Sequence, residues 1–326
     1  MVESTAVMAF CSQVAQAAGY HPIGTAPTFH THLALECPLP WEREVTDSAT
    51  FPTEVGDVIT HATEDGIEHR ITGLMPDPEY MQAGLTRLFS YAHTDDQSPI
   101  YAKREYLVPP ARLSALVEAL LYDKGLQEFD AYEQATGHIR ELFVCNHGSR
   151  DRCCATFGFP IYRELREVYA RAQPDALRVW RCSHLGGHRM APTLLDFPEG
   201  RYYAYVTTES LPNLIGREGS FAALESQYRG WSKLSPLEQA AEHAVLLVED
   251  WPWTTYGVKS AIEVANADDG ASTVTLTYTA PDSTARGTYQ VKVREAPERT
   301  LSFPSSCGKE DEPQPQFVVE GIEKLP

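Results

Sequence analysis

The sequence has few basic side chains for its length and no long apolar run. Lysine and arginine number 27 against 45 aspartates and glutamates, which gives a formal net charge of −18 over 326 residues. Such a surface repels phosphate backbones and anionic lipid headgroups, so we expect no binding to nucleic acid or to a membrane, and a partner protein with a basic surface. No apolar run approaches the roughly 18 residues of a membrane-spanning helix. The N-terminus lacks the basic segment of a secretory signal, so we expect a cytoplasmic protein.

The sequence also lacks the C-x-x-C pair that marks thioredoxin-type redox sites. It has seven cysteines, which are Cys11, Cys37, Cys145, Cys153, Cys154, Cys182 and Cys307. An odd number in a cytoplasmic chain argues against a disulfide framework and favours metal or redox chemistry. Four of the seven lie between positions 145 and 182, and this clustering is the most informative feature of the sequence.

The length of 326 residues allows two or three domains, and the patterns divide the chain near residues 135 and 232. Residues 1–135 contain a short helix before Gly19, several strand-like stretches and an apolar helical pattern at Leu113–Leu121, which predict an α+β domain. Residues 233–326 open with a helical segment, Ser235–Val248, and continue with a β-hairpin in which apolar residues alternate with threonines. We interpret this last region as a helix and β-hairpin annex.

Residues 136–232 predict the most regular unit, with the order strand, helix, strand, strand, strand, helix. The expected elements are a strand at Arg140–Val144, a helix that starts at Pro160, a strand at Leu177–Trp180, a hairpin of Thr193–Phe197 with Arg201–Thr207, and a helix from Ser210. Since a strand–helix–strand unit is normally parallel and a tight turn makes an antiparallel pair, this is the order of a minimal thioredoxin-like fold within a mixed α+β or α/β protein. Ligands gather at the carboxyl ends of parallel strands, where Cys145 and Cys182 are expected.

Thiols and imidazoles are concentrated in two short motifs that follow these two strands. The first contains Cys145, His147, Cys153 and Cys154, and the second is Cys182-Ser-His184-Leu-Gly-Gly-His188. These side chains are the donors that zinc and iron–sulfur centres use. The two glycines disfavour a helix between the last two histidines and let the backbone wrap closely around a bound group.

Three kinds of metal centre are compatible with these donors. A structural Cys2His2 zinc site suits the H-x3-H spacing, although such sites usually take two cysteines separated by two to four residues. A Rieske-type centre would combine the two Cys-x-His pairs, which are Cys145, His147, Cys182 and His184, although the second pair lacks the spacing of that family. A [2Fe–2S] cluster could have Cys145 and Cys154 on one iron and His184 and His188 on the other. This ligand set accounts for the unusual spacing in both motifs, including the two glycines between the histidines.

Two functions without an iron–sulfur cluster stay open at this point. One is a thioredoxin-like thiol oxidoreductase that uses the adjacent Cys153 and Cys154, although a disulfide between neighbours is strained. The other is a zinc-stapled interaction module without redox chemistry. The visible absorption of an iron–sulfur cluster would separate the first alternative from both of these.

The two motifs resemble those of the sucrase/ferredoxin-like family. The similarity covers Val144–Ala155 and Cys182–Arg189, and it extends to Phe10-Cys11-Ser12, Gly24-Thr25-Ala26 and Ser306-Cys307-Gly308. The resemblance implies a thioredoxin-like ferredoxin domain whose [2Fe–2S] cluster is held by two cysteines and by the two histidines of an H-x-G-G-H motif. Carried over residue by residue, it points to Cys145, Cys154, His184 and His188.

One position departs from the family pattern. The fungal branch has an arginine before its second ligand cysteine, and Cys153 stands in that place here. We choose Cys154 as the ligand because small Ala155 follows it, and we keep Cys153, Cys182 and His147 as second choices. The implied function is electron transfer rather than stand-alone catalysis. Sucrose cleavage is not supported, because glycoside hydrolysis needs two positioned carboxylates and none of the 45 acidic residues is marked out by its surroundings. The oligomeric state is left open.

Overall fold

A computed structural model describes residues 9–95, 97–264 and 270–325. In these ranges the chain forms a mixed α/β structure with a ten-stranded sheet, a four-stranded sheet and a two-stranded sheet. The predicted mixed α/β class is therefore confirmed. No helix in these ranges has the length and apolar character needed to cross a bilayer.

The first half of the ten-stranded sheet is a β-α-β unit followed by two antiparallel strands. Its elements are α1 (Cys11–Ala17), β1 (Thr31–Glu36), α2 (Thr53–Glu64), β2 (His69–Leu74), β3 (Thr86–Ala92), β4 (Ala102–Val108), α3 (Leu113–Tyr122) and the short β5 (Glu133–Gln134). Strands β1 and β2 are parallel, whereas β1 pairs with β3, and β3 with β4, in the antiparallel sense. The strands therefore lie in the order β2-β1-β3-β4.

The second half repeats this connectivity. Its elements are β6 (Arg140–Cys145), α4 (Arg152–Glu164), β7 (Leu177–Cys182), β8 (Leu194–Phe197), β9 (Arg201–Tyr203), α5 (Leu211–Gly216) and β10 (Tyr228–Trp231). Strands β6 and β7 are parallel, and β8 and β9 follow in antiparallel pairing, so the order is β7-β6-β8-β9. The same arrangement thus occurs twice, although no repeat is visible in the sequence.

The two halves join edge to edge through β2 and β7, whose antiparallel contact pairs Leu74 with Cys182. Just beyond it, the Ser183 N–H donates to the Gly73 carbonyl oxygen at 2.8 Å, and the Gly73 N–H donates to the Ser183 hydroxyl at 2.9 Å. The joint therefore lies directly beside the residues that follow β7.

Helix α4 begins eight residues earlier than the sequence pattern indicated. It starts at Arg152, Pro160 lies inside it, and it continues into a π-helical turn at Leu165–Ala170. The expected helix start at Pro160 is wrong because Asp151 is the stronger signal: its carboxylate accepts the Cys153 N–H at 2.8 Å as an N-cap. As a result, Cys153 and Cys154 lie in the first helical turn and not in a loop.

The C-terminal region packs a helix against an antiparallel sheet. Its elements are α6 (Pro236–Glu249), β11 (Gly257–Val264), β12 (Ser272–Thr279), β13 (Arg286–Glu295), β14 (Leu301–Pro304), β15 (Asp311–Gln314) and β16 (Phe317–Leu325). The predicted hairpin is β12 and β13, which form the centre of a sheet in the order β11-β12-β13-β16. One buried core connects this sheet to the β6 side of the large sheet, for example through Val245, Val274 and Val144.

Candidate metal centre

The carboxyl ends of β6 and β7 bring together residues from both motifs. Cys145 and Cys182 end these strands as direct register partners. Cys154 approaches from α4 and His184 from the segment after β7, so that donor atoms of Cys145, Cys154 and His184 all lie within 4.8 Å of one another. Both thiols are buried and His184 is half-buried. These are three of the four donors that the family resemblance implies.

The fourth, His188, lies beside this group. The His184 and His188 ring centroids are 5.2 Å apart. Within the described ranges, neither ring nitrogen of His188 has a hydrogen-bond partner, nor does Nδ1 of His184, although all three atoms are buried. The nearest carboxylate oxygen to His188 Nε2, Oδ2 of Asp151, lies 3.9 Å away, which is too far for a hydrogen bond. A buried nitrogen without a partner costs free energy unless something binds it. The donor set and these free nitrogens fit a metal centre.

The glycine pair allows the turn that brings His188 back toward His184. Gly186 and Gly187 have φ values of +81° and +71°, a region that side chains disfavour. A Cβ on Gly187 would lie 2.3 Å from Met190 Cε and 3.0 Å from Arg229 Nη2. The turn therefore packs closely against Met190 and Arg229, and its approach to a bound group stays a prediction.

Two arginines that the sequence patterns did not single out hold this turn. The Arg229 guanidinium donates to the Gly186 carbonyl oxygen at 3.0 Å, and Arg70 donates to the His184 carbonyl oxygen at 3.3 Å. Arg229 is buried, and burial lowers the pKa of its guanidinium to about 10, so it remains charged at neutral pH. Both positive charges lie next to the histidine segment.

His147 is close to the centre but has no free nitrogen. Its Nδ1 accepts the His184 N–H at 3.1 Å, so the proton is on Nε2, which donates to the Glu42 carbonyl oxygen at 2.7 Å. Its ring also packs edge-on against Trp41. A Rieske-type set that included His147 would require these hydrogen bonds to break. In the structure, His147 positions the His184 backbone.

The pKa values of the two thiols in the centre are shifted in opposite directions. Burial alone would raise the pKa of Cys145, but hydrogen bonds from Cys154 and His184 outweigh it and hold this pKa well below its ordinary value. The hydrogen bond to Cys145, together with burial, raises the pKa of Cys154 well above the usual range. Burial lowers the pKa of His188 to about 4, which keeps its ring neutral at pH 7. A thiolate and a neutral imidazole are the forms that bind metal ions.

The remaining second choices lie elsewhere. Cys182 is fully buried, and burial raises its pKa well above the ordinary value. The Cys153 sulfur lies 3.5 Å from that of Cys11 and 3.3 Å from that of Cys307. We call Cys11, Cys153 and Cys307 the three-thiol group. Sequence spacing did not predict it, because Cys11 and Cys307 are 296 positions apart, although both stretches belong to the family resemblance.

The centre is open to solvent on the His184 side. A cleft of about 340 Å³ reaches His184 and is bordered by Arg43, Arg70 and Arg150. Arg150 is paired with Glu44. The cleft therefore gives access to one imidazole of the centre through a positively charged rim. The basic partner protein expected from the net charge stays a prediction.

Helix α4 packs against the strand that carries Cys145, and we expect Gly158→Ala to disturb this contact. A Cβ at Gly158 would lie 2.1 Å from the Cys145 carbonyl oxygen, so helix and strand must separate. We expect a loss of roughly 1–3 kcal/mol in the free energy of unfolding, as for other overpacked cores. Urea unfolding measures it. Gly56→Ala in α2 is the matched control, because nothing lies within 4 Å of its Cβ; equal destabilisation by both changes would contradict the contact.

Fold and site together define a mixed α/β protein with a buried thiol and imidazole centre at the carboxyl ends of two parallel strands. The chain matches the profile of the family described as sucrase/ferredoxin-like over residues 22–230, which is more than half of its length. It belongs to the sucrase/ferredoxin-like family, and the predicted resemblance is confirmed. Searches among curated proteins and among solved structures found no match. The matched segment includes all four residues predicted as cluster ligands and excludes Cys11 and Cys307.

Proposed function

We propose that the protein is an electron carrier that binds a [2Fe–2S] cluster through Cys145, Cys154, His184 and His188. The observation that carries the proposal is the set of buried imidazole nitrogens without partners beside two buried thiols. When bound, such a cluster accepts and releases one electron, at a potential raised by imidazole ligands. The order β7-β6-β8-β9 around the centre agrees with the thioredoxin-like unit that the resemblance implies.

The chain's own residues would set the electrostatics of the site. Arg70 and Arg229 hold the His184–Gly186 carbonyls and place positive charge at the histidine side. Positive charge near the cluster favours the state that has gained an electron. Cys145 and Cys154 would supply the two negative ligands, and release of the proton that they share would accompany binding.

The two halves of the large sheet differ in the metal-binding side chains at their strand ends. The first half has the same strand order, but Cys37, just after β1, is the one cysteine that follows any of its strands, and it has no H-x-G-G-H sequence. Its equivalent strand ends therefore lack a donor set of this kind. We infer that this half serves as a scaffold, joined to the site through Gly73 and Ser183.

The alternative functions explain fewer of the observations. A thiol oxidoreductase needs a cysteine that a substrate disulfide can reach, and Cys145 and Cys154 are each 1% exposed. Cys153 and Cys154 belong to different groups, which does not suit a redox pair of neighbours. Neither thiol chemistry nor a vicinal disulfide accounts for the buried ring nitrogens of His184 and His188 that lack a hydrogen bond in the described part of the chain. A zinc ion at this site remains the alternative that metal analysis must separate.

Metal and sulfide analysis tests the proposal directly. We expect roughly two irons and two acid-labile sulfides per chain in anaerobically purified protein, because four ligands complete a two-iron core. The protein should absorb visible light and bleach on reduction. Zinc at this site without iron or sulfide would contradict the proposal and favour the zinc-stapled module.

A further inference from the structure

The three-thiol group brings together cysteines from three distant parts of the chain. Their sulfur atoms form a triangle with sides of 3.3, 3.5 and 3.6 Å. Cys11 and Cys153 are buried and Cys307 is partly exposed. Cys11 lies in α1, Cys153 in α4 and Cys307 between β14 and β15. Three thiols at this mutual distance, without intervening side chains, form a compact donor set.

Asp151 completes this donor set with oxygen. Both of its carboxylate oxygens lie 3.9 Å from the Cys11 sulfur. Oδ1 accepts the Cys153 N–H, and Oδ2 accepts the Cys307 N–H and the Ser306 hydroxyl, each at 2.8 Å. A carboxylate has about four lone-pair positions, so Oδ1 keeps one free. These hydrogen bonds also hold the carboxylate in place beside the sulfurs.

We propose that Cys11, Cys153, Cys307 and Asp151 bind one zinc ion at a second site next to the iron–sulfur centre, because Asp151 Oδ2 lies 3.9 Å from Nε2 of His188. Zinc–thiolate bonds of about 2.3 Å in a tetrahedron place the sulfurs just under 4 Å apart, close to the observed triangle. The ion would lie about 1 Å out of the plane of the sulfurs, which leaves its fourth position for an oxygen. Three thiolates with one carboxylate favour zinc over copper(I), which prefers soft ligands alone.

The surroundings of the sulfurs resemble those of a metal-bound thiolate set. The Cys11 N–H donates to the Cys307 sulfur at 3.4 Å, and the Ser12 hydroxyl donates to the Cys153 sulfur at 3.4 Å. The Arg152 guanidinium also hydrogen-bonds Cys307. Donors of this kind stabilise the negative charge that remains when three thiolates and a carboxylate share one divalent ion. A multi-iron cluster would instead spread its ligands over separate irons.

Such an ion would connect α1 and the loop after β14 to α4, the helix that carries Cys154. Helix α1 has only seven residues, too few to be stable alone, and it packs against the His188–Met190 turn and against β14. Zinc would therefore hold α1 and the loop after β14 over the His188 side of the iron–sulfur centre and leave the cleft at His184 open. The second site would be structural.

Zinc and iron analysis of the full chain, expressed with both metals available and purified under reducing conditions, tests this site. We expect about one zinc per chain in the wild type, and loss of that zinc in Cys11→Ser and in Cys307→Ser. Cys37→Ser is the matched control, since Cys37 is also buried but lies outside both groups, and it should keep its zinc. Iron and sulfide should stay within about twofold of wild type in all three variants, since the iron–sulfur ligands are intact.

Cobalt replacement gives a readout that does not depend on how well the serine variants fold. Added to reduced, zinc-free wild-type protein, Co²⁺ should produce the visible bands of tetrahedral thiolate coordination, and zinc should abolish them. The same titration on Cys145→Ser, which lacks an iron–sulfur ligand, should give the same bands. The proposal would be overturned if zinc-free wild type takes up no Co²⁺. It would also be overturned if a Cys11–Cys307 disulfide persists through purification under reducing conditions, or if zinc is lost from Cys145→Ser alone. A chain without iron but with Cys11-dependent zinc would refute the electron-carrier function only.

Discussion

Cys154→Ser should lose most of the bound iron and the visible absorption, whereas Cys153→Ser should keep both. Consecutive helical residues point about 100° apart, so these neighbours face different groups. Cys154 lies with Cys145 and His184, and Cys153 with Cys11 and Cys307. Serine places a weakly acidic hydroxyl where a thiolate ligand is required. Iron and sulfide per chain, measured on anaerobically purified variants, give the result.

A second matched pair tests the other cysteine ligand. Cys145 and Cys182 are register partners at the ends of adjacent strands, and both are buried. Cys145→Ser should lose the cluster, while Cys182→Ser should retain it because its sulfur lies outside the donor group. Cys307→Ser should also retain it. If Cys153→Ser bleaches the protein and Cys154→Ser does not, the ligand assignment is wrong by one position.

Replacing either His184 or His188 with cysteine should lower the reduction potential on the order of 100 mV. Thiolate also binds iron, so the cluster should persist, but the swap adds one negative charge beside the electron that reduction introduces. Burial keeps the His188 ring neutral, with its pKa lowered to about 4, so the exchange is from a neutral to a charged ligand. The difference corresponds to nearly two decades in the equilibrium constant at about 59 mV per decade.

The same variants should also lose part of the pH dependence of the potential. Reduction makes a bound imidazole more basic, so protons are taken up with the electron, and a thiolate in its place removes that coupling. Redox titrations between about pH 6 and pH 9 measure the slope, in a range that brackets imidazole titration. His147→Gln is the control and should keep the slope, because both ring nitrogens of His147 bind protein atoms.

Unchanged potential and slope in both cysteine variants would show that these histidines are not ligands. A response of His184→Cys alone, together with cluster loss in Cys182→Ser, would favour the Rieske-type set of Cys145, His147, Cys182 and His184. That set requires His147 to leave its hydrogen bonds to Glu42 and to the His184 backbone. The titrations therefore distinguish two ligand sets on the same pair of strands.

Local patterns were sufficient for the strands that carry the site. Arg140–Val144 and Leu177–Trp180 are apolar segments bounded by polar or proline-containing stretches, and they correspond to β6 and β7 with the predicted parallel pairing. The sequence motifs also identified the family, because the spacing of cysteines, histidines and glycines is a local property of the chain. Local patterns gave the wrong start for α4, because Pro160 suggested a helix start whereas Asp151 caps the helix.

What sequence spacing alone did not determine was which donors share a group. Cys153 and Cys154 are adjacent in the chain, and only the helical phase of α4, set by its cap at Asp151, directs one toward Cys145 and the other toward Cys11 and Cys307. The contact between Cys11 and Cys307, which are 296 positions apart, depends on how α1 and the loop after β14 pack beside α4. Local sequence motifs thus identify the donor residues, whereas packing between elements that are remote in the chain determines which donors share a group.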